Sequence, residues 1–171
     1  IGVGCPGIVD TRRGFIWELP NIKGWRDVPF RQILEEKLKL PVYIDNDANL
    51  MALGEARFGA GRKYNDLVCI TMGTGLGAGI IFGKKLFHSH FTSGAELGHF
   101  PINYKGKKCS CGGYGCVETY VGHRQIVARA RKLLKKTPSS YISKVLGNNL
   151  DRLNTKILSD AAKNGCPVSL K

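Results

Sequence analysis

One histidine and three cysteines near the middle of the chain have the spacing of a metal site. Cys109, Cys111 and Cys116 form a CxCGxxGC pattern, and His99 lies ten residues before the first of them. Three thiolates and one imidazole make a complete tetrahedral ligand set for zinc, which leaves no position for a catalytic water. Three such cysteines cannot share one face of a straight strand. The pattern therefore predicts a compact turn, and the glycines between the cysteines permit it because glycine adopts positive φ at little cost.

The six cysteines of the chain also permit a disulfide framework. The clustered CxC spacing and the upstream histidine favour a metal site in a reducing cytoplasm. Cys5 and Cys69 lie in apolar runs and are interpreted as small buried hydrophobic residues, whereas Cys166 is given no role.

A second group of polar residues could bind a hydroxyl group and remove its proton. Asp47 follows Asn46 at a predicted strand-to-helix junction, where the helix N-terminus favours a charged carboxylate. It could act as a general base, although from its position alone an ordinary helix N-cap is the commoner interpretation. Glu96 and His99 would share a face of one helical turn, as many surface pairs do, and Glu118 stands two residues beyond the last cysteine.

A glycine-rich turn is predicted between two strands at Thr71–Gly77, with the sequence TMGTGLG. It has no GKS or GKT ending, so it is not a Walker loop. A strand follows it where a dinucleotide fingerprint would have a helix. The residues alone fit a plain glycine hairpin as well as a phosphate-binding turn.

Taken together, these motifs resemble the signature of the ROK family, which comprises repressors, uncharacterised reading frames and sugar kinases. The matching elements stand in the family's order and cover roughly residues 1 to 120. The last fifty residues match only as predicted helices. The five elements are Pro6–Asp10, Asp45–Glu55, Thr71–Gly77, Glu96–His99 and Cys109–Glu118.

The resemblance implies an α/β fold of the actin-like ATPase (ribonuclease H-like) type, incomplete at both ends. The chain has no Asp-x-Gly-Gly-Thr turn near its start, and it stops before the family's glycine-rich nucleotide segment. We expect residues 1–45 to be the remainder of an N-terminal lobe and residues 46–171 to belong to a larger lobe that carries the metal motif. The bare chain is expected to phosphorylate poorly or not at all.

The resemblance also implies roles for individual residues. Asp47 corresponds to the general base that takes the proton of the sugar hydroxyl, while Asp45 is interpreted as structural. His99 would bind zinc through one ring nitrogen and the sugar through the other. The residues implied to contact the sugar are Gly7, Asn46, Asp47, Glu96, His99 and Glu118.

Two further ligands follow from the resemblance. Gly73, Thr74 and Gly75 would face the phosphates of ATP, which would bind with Mg²⁺. A structural Zn²⁺ would hold the loops that carry the sugar ligands. Its implied ligands are His99, Cys109, Cys111 and Cys116.

The implied activity is ATP-dependent phosphorylation of a hexose by a ROK-type hexokinase. The stretch from residue 19 to residue 29 is similar to a glucokinase-type sequence and favours glucose, while N-acetylated hexosamines, mannose and fructose stay open. The alternative is a sugar-responsive ROK repressor whose helix-turn-helix lies outside this chain. The intact Asn46–Asp47 pair and the glycine turn favour the kinase.

Charge raises a third possibility, a zinc-knuckle module that binds nucleic acid. The net charge is +13, and residues 120–171 hold eleven basic and only two acidic residues. Binding of nucleic acid would use such an excess to neutralise phosphates, but we favour a solvated helix face as its explanation. A nucleic-acid module would also not need Asp47 or the glycine turn. We therefore expect no nucleic-acid partner, no membrane span, and a cytoplasmic homo-oligomer, either a dimer or a tetramer.

Periodicity predicts strands alternating with helices, which indicates an α/β fold. Asp27 is the predicted N-cap of the first helix. The predicted helices cover residues 29–39, 47–58, 122–136, 139–146 and 155–164, and the predicted strands include residues 1–5, 42–44, 67–71 and 77–82.

Overall fold

The computed structural model describes residues 1–19, 22, 24–89, 94–147 and 149–170. Three residues of the stretch that favours glucose, Pro20, Asn21 and Lys23, lie outside the described residues. The chain folds as two compact units. The first comprises Ile1–Thr71 and Gly77–Leu97, and the second comprises Met72–Leu76 and Gly98–Lys171. The lobe boundary expected after residue 45 stays a prediction.

The described chain contains both strands and helices, and the α/β class predicted from periodicity is confirmed. The strands are β1 (Gly2–Cys5), β2 (Ile8–Asp10), β3 (Phe15–Glu18), β4 (Arg26–Val28), β5 (Tyr43–Asn46), β6 (Leu67–Met72), β7 (Leu76–Phe82) and β8 (Lys85–Leu86). The helices are α1 (Phe30–Leu38), α2 (Asp47–Arg57), α3 (Glu118–Val121), α4 (His123–Leu134), α5 (Ser140–Leu146) and α6 (Thr155–Lys163). No described helix is both long and apolar enough to cross a membrane.

In the first unit, β1 and β5 form a parallel pair whose register matches Cys5 with Asn46. Parallel neighbours require a long crossover, and here it contains the antiparallel sheet β2-β3-β4 and helix α1. Because the two strands end together, the segments that follow them start at the same edge of the pair. Gly7 follows β1, and Asp47 follows β5.

The third sheet has the order β6-β7-β8. Only three residues join β6 to β7, which is far too short for a parallel crossover, so the two strands form a hairpin. Gly83 and Lys84 both have positive φ in the two-residue turn between β7 and β8, as a tight hairpin turn requires. Strand β6 lies at the edge of this sheet. Its side chains alternate in exposure, and Val68, Ile70 and Met72 lie on the exposed side.

Each unit has its own hydrophobic core. In the first unit, Phe30 and Leu34 of α1 pack against a core in which Ile16 is completely buried. That core consists of Cys5, Val9, Ile16, Leu19, Val42 and Ile44. The core of the second unit lies among α4, α5 and α6. It consists of Val127, Ala130, Leu134, Ile142, Leu146, Leu153, Leu158, Ala161, Cys166 and Val168.

Two expectations from the sequence, the cap of α1 and the burial of Cys69, are wrong in detail. Asp27 does not cap α1, because it lies in β4 with a φ of 55° and the helix begins after Pro29 without a side-chain cap. Cys166, to which no role was given, is buried in the helical core. Cys5 is buried as predicted, whereas Cys69 is only half-buried.

We predict that Ile16→Ala lowers the free energy of unfolding of the first unit by about 2–5 kcal/mol, because it leaves a cavity where no side-chain surface reaches solvent. The control is Ile8→Ala on the neighbouring strand, where the side chain is 41% exposed. Both tryptophans, Trp17 and Trp25, lie in this unit, so urea unfolding followed by tryptophan fluorescence measures the relevant transition. Equal losses for the two variants would contradict the core assignment.

Candidate functional site

In the first unit, the candidate catalytic residues lie at the start of α2. Asn46, and not Asp47, caps this helix: its Oδ1 accepts hydrogen bonds from the backbone N–H groups of Ala48 at 2.9 Å and Asn49 at 3.3 Å. Asp47 is therefore the first residue of the helix, and it is exposed. Its Oδ1 accepts a second, 2.9 Å hydrogen bond from the Ala48 N–H. This leaves the carboxylate in solvent at the positive end of the helix.

Gly7 is held against this helix start. The Asn46 Nδ2 donates a 3.1 Å hydrogen bond to the Gly7 carbonyl. Gly7 has a φ of 85°, so the turn after β1 depends on glycine. The structure thus brings together Gly7, Asn46 and Asp47, three of the residues assigned to sugar binding from the sequence.

Cys5 stands beside the same carboxylate. Burial raises the pKa of the Cys5 thiol, and the negative charge of Asp47 raises it further. The thiol therefore stays protonated and neutral at physiological pH, and it does not act as a second anion next to Asp47.

Sequence reasoning missed one residue near this helix. The Nε2 of His88, which follows β8, lies 2.7 Å from the Oδ2 of buried Asp45, immediately before Asn46. The two residues are separated by 43 positions and belong to no common motif, so no local pattern could have paired them.

In the second unit, the four predicted metal ligands converge. The ligand atoms of His99, Cys109, Cys111 and Cys116 all lie within 4.8 Å of one another. The Nδ1 of His99 is 3.4 Å from the sulfur of Cys109, and the sulfur atoms of Cys111 and Cys116 are 3.7 Å apart. His99 therefore directs Nδ1 into the cluster, and Nε2 is its other ring nitrogen.

These separations fit a tetrahedral zinc ion. Bonds of about 2.3 Å to sulfur and about 2.0 Å to nitrogen at tetrahedral angles place two sulfurs about 3.8 Å apart and a sulfur and a nitrogen about 3.5 Å apart. The residues present thus fit Zn²⁺ in both chemistry and spacing. Since all four positions would be filled by protein, a metal here would hold the loops together and leave no open coordination site.

Backbone hydrogen bonds build the metal-binding turn. The Cys109 N–H donates to the Gly113 carbonyl at 2.8 Å, and the Gly115 N–H donates to the Lys107 carbonyl at 2.7 Å. Gly115 has a φ of 65°, and a Cβ at this position would collide with the carbonyl of Asn103. Only glycine can therefore occupy residue 115 without displacing the backbone.

Two thiols of this cluster, those of Cys116 and Cys111, have pKa shifts in opposite directions. Burial raises the pKa of Cys116 to about 12, helped by its hydrogen bonds with Cys111 and Cys109. A backbone hydrogen bond from Gly113 is the main cause that lowers the pKa of exposed Cys111. Without a cation, therefore, the cluster does not hold three thiolates, and a metal must displace protons to bind.

Glu118 connects the metal-binding turn to the glycine-rich turn. Its Oε1 is 3.5 Å from the Ser110 hydroxyl and 3.9 Å from the Cys109 sulfur. Its Oε2 accepts a 3.2 Å hydrogen bond from the backbone N–H of Leu76, directly after the glycine turn. A Cβ at Gly75 would collide with this carboxylate, so glycine at residue 75 lets the turn approach Glu118.

The glycine-rich turn is also tied to the helices that follow. The Gly73 N–H donates to the Gly75 carbonyl at 2.9 Å, and the Gly73 carbonyl accepts a 2.9 Å bond from the His123 N–H at the start of α4. Within the described residues, the N–H groups of Thr74 and Gly75 have no acceptor. The turn thus presents two adjacent backbone donors, which is the arrangement that binds anions.

Glu96 is the remaining residue assigned to the sugar. It is exposed and immediately precedes a 3₁₀ turn at Leu97–His99. The predicted helical turn therefore exists, but Glu96 lies just outside it.

The ROK family model matches residues 1–171, the whole chain. The chain belongs to the ROK family. The prediction from the five motifs is therefore confirmed. The last fifty residues, which matched only as helices, lie within the family match.

Relatives of two kinds are similar to this chain. The xylose repressor of Caldicellulosiruptor bescii is 42% identical over 169 residues, which are 98% of this chain and 41% of the repressor. The glucokinase of Streptomyces coelicolor is 40% identical over 172 residues, which are 99% of this chain and 54% of the glucokinase. The chain thus spans about half the length of the curated relatives that it matches.

Among solved structures, the ROK family glucokinase of Streptomyces griseus in complex with glucose and AMPPNP is similar, with a TM-score of 0.88 and 40% identity. The match covers 98% of this chain and 54% of the glucokinase. The fold is the actin-like ATPase fold of ROK sugar kinases, as the motifs implied.

We predict that the protein binds one Zn²⁺ or Co²⁺ ion at this cluster. Cys116→Ser should weaken metal binding by more than about 100-fold. The loss of a residue that only hydrogen-bonds to a metal ligand already lowers the metal affinity about 10- to 100-fold. Cys69→Ser is the control, since Cys69 lies outside the cluster. The absorption of the tetrahedral Co²⁺–thiolate complex measures the affinity for Co²⁺. The loss of this absorption on addition of Zn²⁺ measures the affinity for Zn²⁺. Equal affinity of the two variants would contradict the site.

The same titration should depend on pH. Cys116 carries a proton in the metal-free protein because its pKa is raised to about 12, so binding releases that proton. Apparent affinity should therefore rise with pH, by about tenfold per unit for each proton displaced. An affinity that is constant from pH 6 to pH 8 would show that the thiols are already ionised.

Proposed function

We propose that this protein phosphorylates a hexose with ATP and that glucose is the preferred acceptor. The observation that carries the proposal is the exposed Asp47 carboxylate at the first position of α2, beside Asn46 and Gly7. It is supported by the 40% identity to a glucokinase and by the similar glucokinase structure that contains glucose and AMPPNP.

Asp47 acts as the general base in this proposal. Its carboxylate accepts the proton of the sugar 6-hydroxyl while the hydroxyl oxygen forms a bond to the γ-phosphorus of ATP. The bond from that phosphorus to the bridging oxygen breaks, and ADP leaves with the electron pair. The hydrogen bond from Ala48 holds Asp47 Oδ1, so Oδ2 is the oxygen available to the sugar.

The other residues that we propose to bind the sugar are Gly7, Asn46, Glu96, His99 and Glu118. Asn46 already uses Oδ1 for the helix cap and one Nδ2 hydrogen for Gly7, so its second Nδ2 hydrogen is the donor left for a sugar oxygen. His99 directs Nδ1 to the sulfurs and would offer Nε2 to the sugar. Unpaired polar groups are costly, so such a ligand set discriminates between hydroxyl orientations.

The glycine turn binds the phosphates of ATP in this proposal. The N–H groups of Thr74 and Gly75, which have no acceptor among the described residues, supply donors, and the Gly73 carbonyl bonds the turn to the start of α4. ATP would bind with Mg²⁺. Zinc at the four-residue cluster would have a structural role, because it would fix the turn that ends two residues before Glu118.

The second candidate is a sugar-responsive repressor, which the 42% identity to a xylose repressor favours. Such a protein needs the sugar ligands and the metal cluster but not a general base. Asp47 is therefore the residue that distinguishes the two functions. A cytoplasmic location and a dimer or tetramer also stay predictions.

We predict that Asp47→Asn lowers kcat by about 10²- to 10⁴-fold and changes the KM for the sugar much less, because the amide can bind a hydroxyl but cannot take its proton. Full-length natural protein is assayed for ADP formation against glucose, mannose, fructose and N-acetylated hexosamines. The control is Asp151→Asn, whose side chain is 94% exposed.

Turnover of one hexose that Asp47→Asn abolishes would establish the kinase and its substrate. If no hexose is turned over and a sugar still binds, the repressor is the better account. Full activity of Asp47→Asn would remove Asp47 from the mechanism.

We also predict that Gly75→Ala raises the KM for the sugar, because the added methyl group occupies the position of the Glu118 carboxylate. Gly54→Ala in α2 is the matched control, since a Cβ there meets no atom within 4 Å. Melting temperature checks that both variants are folded. Equal KM values for the two variants would argue against Glu118 as a sugar ligand.

A further inference from the structure

Asp45 is a buried carboxylate whose two oxygens both have partners. Its Oδ1 accepts a 2.7 Å hydrogen bond from the Asn46 backbone N–H and a 2.9 Å bond from the Asn49 Nδ2. Its Oδ2 is 2.7 Å from the Nε2 of His88. Asp45 and Asn49 are 8% and 6% exposed, so these bonds form away from solvent.

The direction of the histidine bond follows from the chemistry of its partner. An ionised carboxylate has no proton to donate, so the Nε2 of His88 carries the hydrogen and donates it to Asp45. The His88 side chain is 31% exposed and comes from the segment after β8, whereas Asp45 belongs to β5. This hydrogen bond therefore connects a loop to the strand that leads into α2.

The bonds of Asp45 lie on both sides of Asp47 in the chain. One goes to Asn46, the cap of α2, and the other to Asn49, in the first turn of that helix. Asp47 itself has only the local bond to Ala48 among the described residues. The position of its carboxylate thus depends on how firmly the first turn is held, and Asp45 holds that turn.

We propose that His88 is a positioning residue for the reaction: through Asp45 it fixes the first turn of α2 and so the direction of the Asp47 carboxylate. The proposal rests on the proposed function for its catalytic consequence. Removing the His88 donor leaves Oδ2 of a buried carboxylate without a partner, which is costly enough to move the carboxylate toward water. Asp45 would then release Asn46 or Asn49, and the base would lose its alignment.

The test compares His88→Leu with His88→Gln in full-length protein. Glutamine retains an N–H donor near the position of the histidine Nε2, whereas leucine has similar bulk and no donor. The control is Gln32→Leu, which breaks an exposed 2.8 Å hydrogen bond between Gln32 and Glu36 on α1 in the same unit. Melting temperature is measured for all three variants.

Hydrogen exchange tests the positioning without any need for activity. His88→Leu should speed amide exchange in peptides that cover β5 and the first turn of α2, and His88→Gln should restore slow exchange. Peptides from α4 should be unaffected. Unchanged exchange at the start of α2 in His88→Leu would overturn the proposal, whatever the protein catalyses.

Kinetics test the consequence for the reaction. His88→Leu should lower kcat by about 10- to 100-fold, the loss expected from a base displaced by about 1 Å, with little change in the KM for ATP. His88→Gln should recover most of kcat, and Gln32→Leu should match wild type. Faster exchange without a fall in kcat would also overturn the proposal. Absence of turnover in the wild type would count against the proposed function alone, because hydrogen exchange then decides the role of His88.

Discussion

Three sulfur atoms and an imidazole nitrogen lie within 4.8 Å of one another, and the charge that three thiolates would bring together there is the constraint on which the metal-binding turn depends. Thiolates this close repel one another unless a cation neutralises them, and burial raises the pKa of Cys116 in the same direction. A zinc ion would allow the three sulfurs to bind as thiolates and would fix the turn from Cys109 to Cys116. Glu118 follows that turn directly, so the metal would also determine where its carboxylate lies.

Glu118 extends this constraint to the glycine turn. One of its oxygens faces Ser110 and Cys109, and the other accepts the Leu76 N–H. The Glu118 carboxylate therefore contacts both the metal-binding turn and the residue that follows Gly75. In the first unit, Asn46 has a role like that of Glu118, because its amide group bonds to both Gly7 and the first turn of α2. Both arrangements use a polar side chain to bond two backbone segments.

The sequence predicted those features that depend on short spacing. The convergence of the four candidate metal ligands, the glycine turn and the start of α2 all arise from local motifs. The identity of the helix cap was harder to predict, because Asn46 and Asp47 both favour capping and only the backbone geometry selects Asn46. Asp27 satisfied the rule for a cap, but β4 continues through it and Pro29 precedes the helix.

Long-range pairs could not be predicted. His88 lies in the segment after β8 and Asp45 lies in β5, and nothing in either neighbourhood indicates the other. The second bond of Glu118 was missed for the same reason, since it joins residues 42 positions apart. Cys166 appeared unremarkable in sequence because it is a lone residue, yet the packing of α6 buries it. These contacts are set by tertiary packing, which sequence periodicity does not encode.

The edge strand β6 has a practical consequence for work with this chain. Its exposed side carries valine, isoleucine and methionine, and its outer backbone groups are unpaired within the described part of the chain. A strand of this kind is a template for pairing with another molecule. The 171-residue chain can therefore self-associate by pairing through β6. An oligomer that forms in this way differs from one that forms through another surface of the protein. Charged substitutions at the exposed positions of β6 would distinguish the two kinds of oligomer, since they should dissociate only the one that forms through this strand.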